Sequence, residues 1–218
     1  MTAILRLPLR EHIQATHETD PLHFYYRFGV RTIFRRRLEM LVELMGEKRY
    51  DDLLEVGFGS GIFLKELSER CQHLHGIDVH NNFDLVAAML EREGVHANLV
   101  HCPVQKIEFE DGRFDCVVSA SVLEHVHDVE QAVGEIGRVL KSDGVAILGF
   151  PVENLLTDIA LWITYIPLKT RLKDEHVSDH RGILAAIEQR FVIVRALRLP
   201  AFLPLDSCLY YACLCVKR

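Results

Sequence analysis

The chain has 218 residues, 49% of them hydrophobic and 26% charged, with 25 lysines and arginines against 31 aspartates and glutamates. That length suits one domain with an added cap, and that much apolar material excludes wholesale disorder. The net charge of −6 argues against a strongly basic nucleic-acid footprint.

Residues 1–46 precede the first strand and are expected to form a helical cap. Ile33, Phe34, Leu38, Leu41, Val42 and Leu44 give it an apolar stripe. Arg27, Arg31 and Arg35 recur every four residues beside Arg36 and Arg37, which reads as a solvated helix face. The opening residues hold no apolar run of the length a secretory leader needs, so the expected location is cytoplasmic. The six cysteines form no CxxC pair and are expected as reduced, mostly buried thiols.

From residue 52 the pattern alternates. Residues 52–56 read as a strand, followed by a glycine-rich turn and a helix over about 61–71. Strands are expected at 74–79, 97–102, 114–120 and 145–150, with helices at 82–93 and 127–141. Ser142-Asp143-Gly144 is expected to stop the second of these helices. The segment 152–181 includes an oily stretch, 155–168, too short and interrupted to span a bilayer. A helix at 181–190, capped by Ser178 or Asp179, leads to strands at 191–197 and 208–216. Their connection is too short for a crossover helix, so they should pair antiparallel.

The reading is an α/β fold: a Rossmann-like, doubly wound, seven-stranded sheet, mostly parallel with an antiparallel last strand and helices on both faces. It is taken as one domain, 1–218. The parts are an N-terminal helical cap (1–46), a cofactor-binding core (47–151), a lid insertion (152–181) and a closing helix with an antiparallel strand pair (182–218).

The informative segment is Glu55-Val56-Gly57-Phe58-Gly59-Ser60-Gly61, where a strand runs into alternating glycines and then a helix. Glycine permits the sharp turn and lets a ligand approach the main chain. The dinucleotide fingerprint fails, since its third glycine position falls on Ile62. The P-loop fails too, since Ile62 and Phe63 stand where Lys and Ser/Thr are needed. Glu55 suits a cofactor carrying a cation rather than a pyrophosphate. Asp78, closing the second strand, can accept from both ribose hydroxyls.

These residues resemble motif I and the ribose-binding acid of class I S-adenosylmethionine (SAM)-dependent methyltransferases. The likeness continues through 107–118, through Ser121-Val-Leu-Glu124-His125-Val-His-Asp128 and through Arg138-Val-Leu-Lys-Ser-Asp-Gly144. It covers about 50–150 and points to the small-molecule branch (methyltransferase type 11, similar to ubiquinone and menaquinone biosynthesis enzymes). The resemblance implies SAM as cofactor, with Glu55 near its amino group. Gly57, Phe58, Gly59 and Gly61 would form the turn beside it. Asp78 would hold the ribose, Val79 would lie under adenine, Val104 and Gln105 would sit at the adenine edge, and Ser119 and Ala120 at the methionine end. Pro103 stands where the family often has an acid for the adenine amino group.

Methyl transfer from a sulfonium is largely a matter of alignment. A base is needed only where the nucleophile must lose a proton, and His125 and His180 are the candidates, with His176 beside them. Tyr25, Tyr26, Trp162 and His176 are the candidate substrate contacts, in two oily segments expected to fold over the cofactor as a lid. The acceptor is therefore expected to be a small hydrophobic or aromatic molecule. No metal is expected, because His176 and His180 lack an evident third ligand. A tRNA or protein acceptor, and a non-catalytic partner-activating module, are the alternatives. Peripheral membrane contact and a homodimer stay open.

Overall fold

The computed structural model describes residues 5–18, 20–154 and 176–218. Trp162 and the oily stretch 155–168 lie outside the described residues. The strands are β1 (Tyr50–Val56), β2 (Cys71–Asp78), β3 (Asn98–His101), β4 (Phe114–Ala120), β5 (Leu140–Pro151), β6 (Phe191–Leu199) and β7 (Tyr210–Lys217). The helices are α1 (Arg31–Met45), α2 (Leu64–Ser68), α3 (Phe83–Glu93), α4 (Val129–Val139) and α5 (His180–Arg190).

The sheet has seven strands in the order β3-β2-β1-β4-β5-β7-β6. All ladders are parallel except those of β7, which runs antiparallel to both β5 and β6. The expected doubly wound sheet with an antiparallel last strand is what forms. Strand order reverses between β1 and β4, and the crevice outside the carboxyl ends of such strands is where this architecture binds ligands.

Period-2 alternation divides the core. Leu53, Cys116, Val118 and Ile147 face α1, α2 and α3, while Leu54, Val56, Val117 and Leu148 face α4 and α5. Because both faces are covered, the strands read as continuous apolar runs. Helix ends follow local chemistry. Asp128 Oδ1 accepts from Gln131 N at 2.9 Å and Asp179 Oδ1 from Gly182 N at 2.7 Å, capping α4 and α5. Gly94, left-handed at φ 66°, closes α3.

Three expectations need correction. Ser142-Asp143-Gly144 does not stop α4. Leu140, fully buried, has already turned extended, and the three residues sit inside β5 where its register with β4 shifts between Phe114 and Cys116. Second, the helix after the glycine turn is only Leu64–Ser68, because pairing with Tyr50 draws Cys71 into β2. Third, the cap is helical only from Pro21. Residues 5–18 run irregularly and are held by side chains, Glu93 Oε1 accepting from Leu9 N at 2.7 Å and meeting His12 Nδ1 at 2.6 Å.

The apolar stripe of α1 is not a lid. Leu38, Leu41, Val42 and Leu44 are buried in the core on one face of the sheet. All six cysteines are buried and free. Among the described residues, no helix is long and apolar enough to cross a membrane.

Candidate active site

The turn after β1 is built on backbone geometry. Gly57, Gly59 and Gly61 have φ of 72°, 50° and 78°, in the left-handed region that side chains avoid. Their surroundings differ. A Cβ on Gly57 would lie 2.3 Å from Val122 Cγ2, and one on Gly61 would lie 2.8 Å from Val86 Cγ1 and Met89 Cε. A Cβ on Gly59 would meet nothing within 4 Å. Two glycines thus serve packing against the protein, and the third leaves the main chain exposed on its open side.

Asp78 locks this turn to the end of β2. Its Oδ2 accepts from Gly59 N at 2.8 Å, and its Oδ1 accepts from Val79 N at 2.7 Å and His80 N at 3.3 Å. His80 completes the lock. Asn82 N donates to its Nδ1 at 3.1 Å, so the proton sits on Nε2, which donates to Gly59 O at 2.9 Å. Phe58 is buried, its ring edge-on to His80 and Phe83 with centroids 5.2 and 5.0 Å away. What Phe58 offers a ligand is its backbone.

The other predicted cofactor residues lie on or just beyond β1, β2, β3 and β4. Val79 is 60% exposed, an apolar side chain left facing solvent just beyond β2. Val104 is buried, and Gln105 O accepts from Gln131 Nε2 at 3.0 Å. Glu55 lies inside β1, and its Oε2 has no hydrogen-bond partner. Burial, with the charge of Asp78 adding to it, pushes its carboxyl well above the usual range. Ser119 Oγ, on the neighbouring strand, is likewise buried without a partner.

Across the crevice stands a group that the sequence did not mark. Arg37 turns inward from α1, its Nη2 donating to Ser121 Oγ. Its guanidinium carbon lies 4.8 Å from the centroid of the Tyr210 ring and 5.2 Å from that of Phe34. Its Nε is buried without a partner. Ser121 is the one non-glycine residue with positive φ among those described, at 60°, and its Oγ also donates to Tyr210 Oη at 3.3 Å. Burial raises the phenols of Tyr25 and Tyr210, the latter to about 12. The arginine repeat was the available signal, but nothing in its spacing says which arginine turns in. Arg35 donates to Tyr25 O at 2.9 Å, and Arg36 pairs with Glu39 and Glu43.

The predicted substrate and base residues separate. Tyr25 is buried edge-on to Phe34, in the Arg37 cluster. Tyr26 turns away, its hydroxyl donating to Pro8 O at 2.7 Å. His125 closes a short 3-10 turn after β4, and the His176 ring lies 5.0 Å from it. His180 is not with them; its Nε2 meets Asp206 Oδ1 at 3.1 Å. Glu124 is buried beside His125, and burial raises its carboxyl to about 7.

Residues 54–148 match the family model described as a methyltransferase domain. A ubiquinone biosynthesis O-methyltransferase of Rickettsia canadensis is 26% identical over 117 residues, 51% of this chain and 49% of that protein. The chain spans about half the length of the curated relatives it matches first. Among solved structures, geranyl diphosphate C-methyltransferase from Streptomyces coelicolor superposes with a TM-score of 0.69 at 16% identity, covering 87% of this chain and 81% of that one. The N-methyltransferase NodS from Bradyrhizobium japonicum, in complex with S-adenosyl-L-homocysteine, gives 0.65 at 16% identity, covering 94% and 99%. At such identities the structural likeness establishes the fold.

Proposed function

We propose that this chain, whose residues 54–148 match a methyltransferase domain, is a class I SAM-dependent methyltransferase that transfers the methyl group of SAM to a small hydrophobic or aromatic acceptor. The observation that carries this is the open side of Gly59, with the anchored carboxylate of Asp78 and the unpartnered Oε2 of Glu55 on the adjoining strands.

Each group fits a part of the cofactor. Asp78 Oδ2 accepts one backbone hydrogen bond and keeps capacity for a ribose hydroxyl. Exposed Val79 offers an apolar surface for adenine, with Val104 and Gln105 at its edge. Glu55 would meet the ammonium, which would restore its ionised form. Gly57, Phe58, Gly59 and Gly61 would present backbone, with Ser119 and Ala120 at the methionine end. Arg37 Nε, buried without a hydrogen-bond partner, would take a carboxylate. SAM when bound supplies an activated methyl. The chain's part is to align the acceptor behind it and to exclude water. Tyr25, Trp162 and His176 are assigned to the acceptor side and His125 to a proton on its nucleophile, while the Tyr26 hydroxyl and His180 Nε2 are engaged by Pro8 and Asp206. An RNA acceptor loses support, because Arg35, Arg36 and Arg37 spend their guanidinium groups on this chain.

Calorimetry with SAM and S-adenosylhomocysteine tests the reading, followed by a screen of phenols, carboxylic acids and amines for S-adenosylhomocysteine formation from SAM. Binding of both nucleosides is expected; binding of neither sinks it. Asp78→Asn keeps the side-chain shape but removes the charge, and should weaken SAM about 10–100-fold.

A further inference from the structure

A second constellation sits at the same end of the sheet, where sequence spacing did not suggest one. Glu124, His125 and His176 each offer a ligand atom, and these atoms all lie within 4.8 Å of one another. Glu124 is 2% exposed and its Oε2 has no hydrogen-bond partner. His176 Nδ1 lies 2.6 Å from Glu153 Oε1, which fixes the ring and directs Nε2 to act as the ligand. A carboxylate behind a histidine is the arrangement that orients metal-bound imidazoles.

The backbone holds the parts in place. Val177 N and Ser178 N both donate to Glu124 O, at 2.8 and 3.1 Å, and Ser178 Oγ donates to Val126 O at 2.7 Å. Residues 176–178 are therefore laced to 124–126, and His176 is seated beside His125 despite the distance in sequence. Val122, two residues before Glu124, packs on Gly57 of the turn.

We propose that Glu124, His125 and His176 bind a divalent transition-metal ion, with Glu153 orienting His176. Two imidazoles and one carboxylate select zinc, cobalt or iron(II) over magnesium, which prefers oxygen alone. Tetrahedral ligands at about 2.0–2.2 Å from zinc stand about 3.4 Å apart, so the ligand atoms, now within 4.8 Å of one another, would draw together on binding. Three protein ligands leave a position for an oxygen atom of the acceptor. That role rests on the proposed methyl transfer and would replace His125 as the base, since a coordinated imidazole no longer offers its lone pair to a proton; the metal site itself does not rest on it.

The test uses the untagged whole chain, stripped with a chelator and dialysed. Co2+ is the probe, since its visible absorption reports a nitrogen and oxygen ligand set, and Zn2+ is the competitor. One Co2+ per chain with a visible band, bleached by Zn2+, is expected. His176→Ala should weaken Co2+ at least tenfold. Glu153→Gln, which leaves all three ligands, should weaken it by about 10–100-fold, whereas His96→Ala on the exposed surface should change nothing. The site is overturned by the absence of a band, or by Co2+ affinity that neither His176→Ala nor Glu153→Gln moves. SAM calorimetry on the stripped chain separates the two ideas. SAM binding with no Co2+ band removes only the metal; a band with no SAM binding removes only the methyl-transfer reading.

Discussion

The two sides of the crevice are built by different means. On the β1–β2 side, Gly59, Asp78, His80 and Asn82 are tied together by hydrogen bonds between side chain and backbone. On the α1–β4 side, Arg37 Nε, Ser119 Oγ and Glu124 Oε2 are buried without one, and Glu55 Oε2 joins them from the strand between. Native folds leave few such atoms, because each costs about 1–3 kcal/mol. The first side is rigid before any ligand arrives. The second spends stability to keep polar groups poised, as functional sites do.

Gly57→Ala should give the largest effect, because it breaks the rigid side. The new Cβ would sit 2.3 Å from Val122 Cγ2 at a left-handed φ of 72°. Overpacking costs about 1–3 kcal/mol and the backbone about 1–2 more. A clearly lowered melting temperature and complete loss of SAM binding are expected. A variant that melts and binds like the parent would mean that Val122 yields and the turn is softer than its hydrogen bonds indicate.

Arg37→Met probes the opposite side, and its effects should split. Replacing a buried charge that forms no salt bridge with an apolar side chain should cost little, because its desolvation penalty goes with it. Losing a charge-assisted hydrogen bond of about 1.5–3 kcal/mol would weaken anion binding by roughly 10–100-fold. Denaturation and SAM calorimetry on the one variant measure both quantities. Loss of stability without loss of affinity would make Arg37 a structural cation, held by Ser121 and the Tyr210 ring.

This contrast also explains what was legible in the sequence. The turn and Asp78 could be read because glycines at alternate positions, and an acid at a strand end, are demanded by local backbone geometry. The alternation of strands and helices was readable for the same reason, as were the antiparallel pairing of β6 and β7 and a cap at Ser178 or Asp179, of which Asp179 is the one that forms. The α1–β4 side draws on residues 25, 37, 121, 124, 176 and 210, which only the closed sheet brings together. No spacing rule pairs His176 with His125 rather than with His180, four residues away. Likewise Ser142-Asp143-Gly144 has the composition of a helix stop, yet burial of Leu140 decided where α4 ends.

Glu55→Gln should have a moderate effect, with a pH signature. Burial raises the carboxyl in the folded chain, so the native state holds a proton that the unfolded chain has released. Stability from this group is therefore lost as pH rises above the ordinary carboxylate range toward the raised value. Glu55→Gln should flatten that slope and stabilise the free protein. It should also weaken SAM about tenfold, a loss of about 1.4 kcal/mol. If SAM's ammonium ionises Glu55, binding releases a proton, seen as a calorimetric heat that varies with the buffer and vanishes in the variant. A heat independent of buffer in the parent would place the ammonium elsewhere.

Gly59→Ala should cost the free protein less than Gly57→Ala, and it divides conformation from contact. Gly57 and Gly59 share a left-handed backbone, at 72° and 50°, so the strain of adding a methyl is similar. Only Gly57 meets an obstacle; the Cβ of Gly59 would have nothing within 4 Å. The stability cost at Gly59 should therefore be about 1–2 kcal/mol, the backbone term alone, and smaller than at Gly57. SAM affinity should fall further than that loss implies, because the methyl would occupy the face along which the cofactor is proposed to lie. Equal destabilisation by both variants would mean that the packing difference between the two glycines is unimportant. Unchanged SAM affinity in Gly59→Ala would mean that no ligand approaches the turn on its open side, and the rigid side would then be scaffold rather than site.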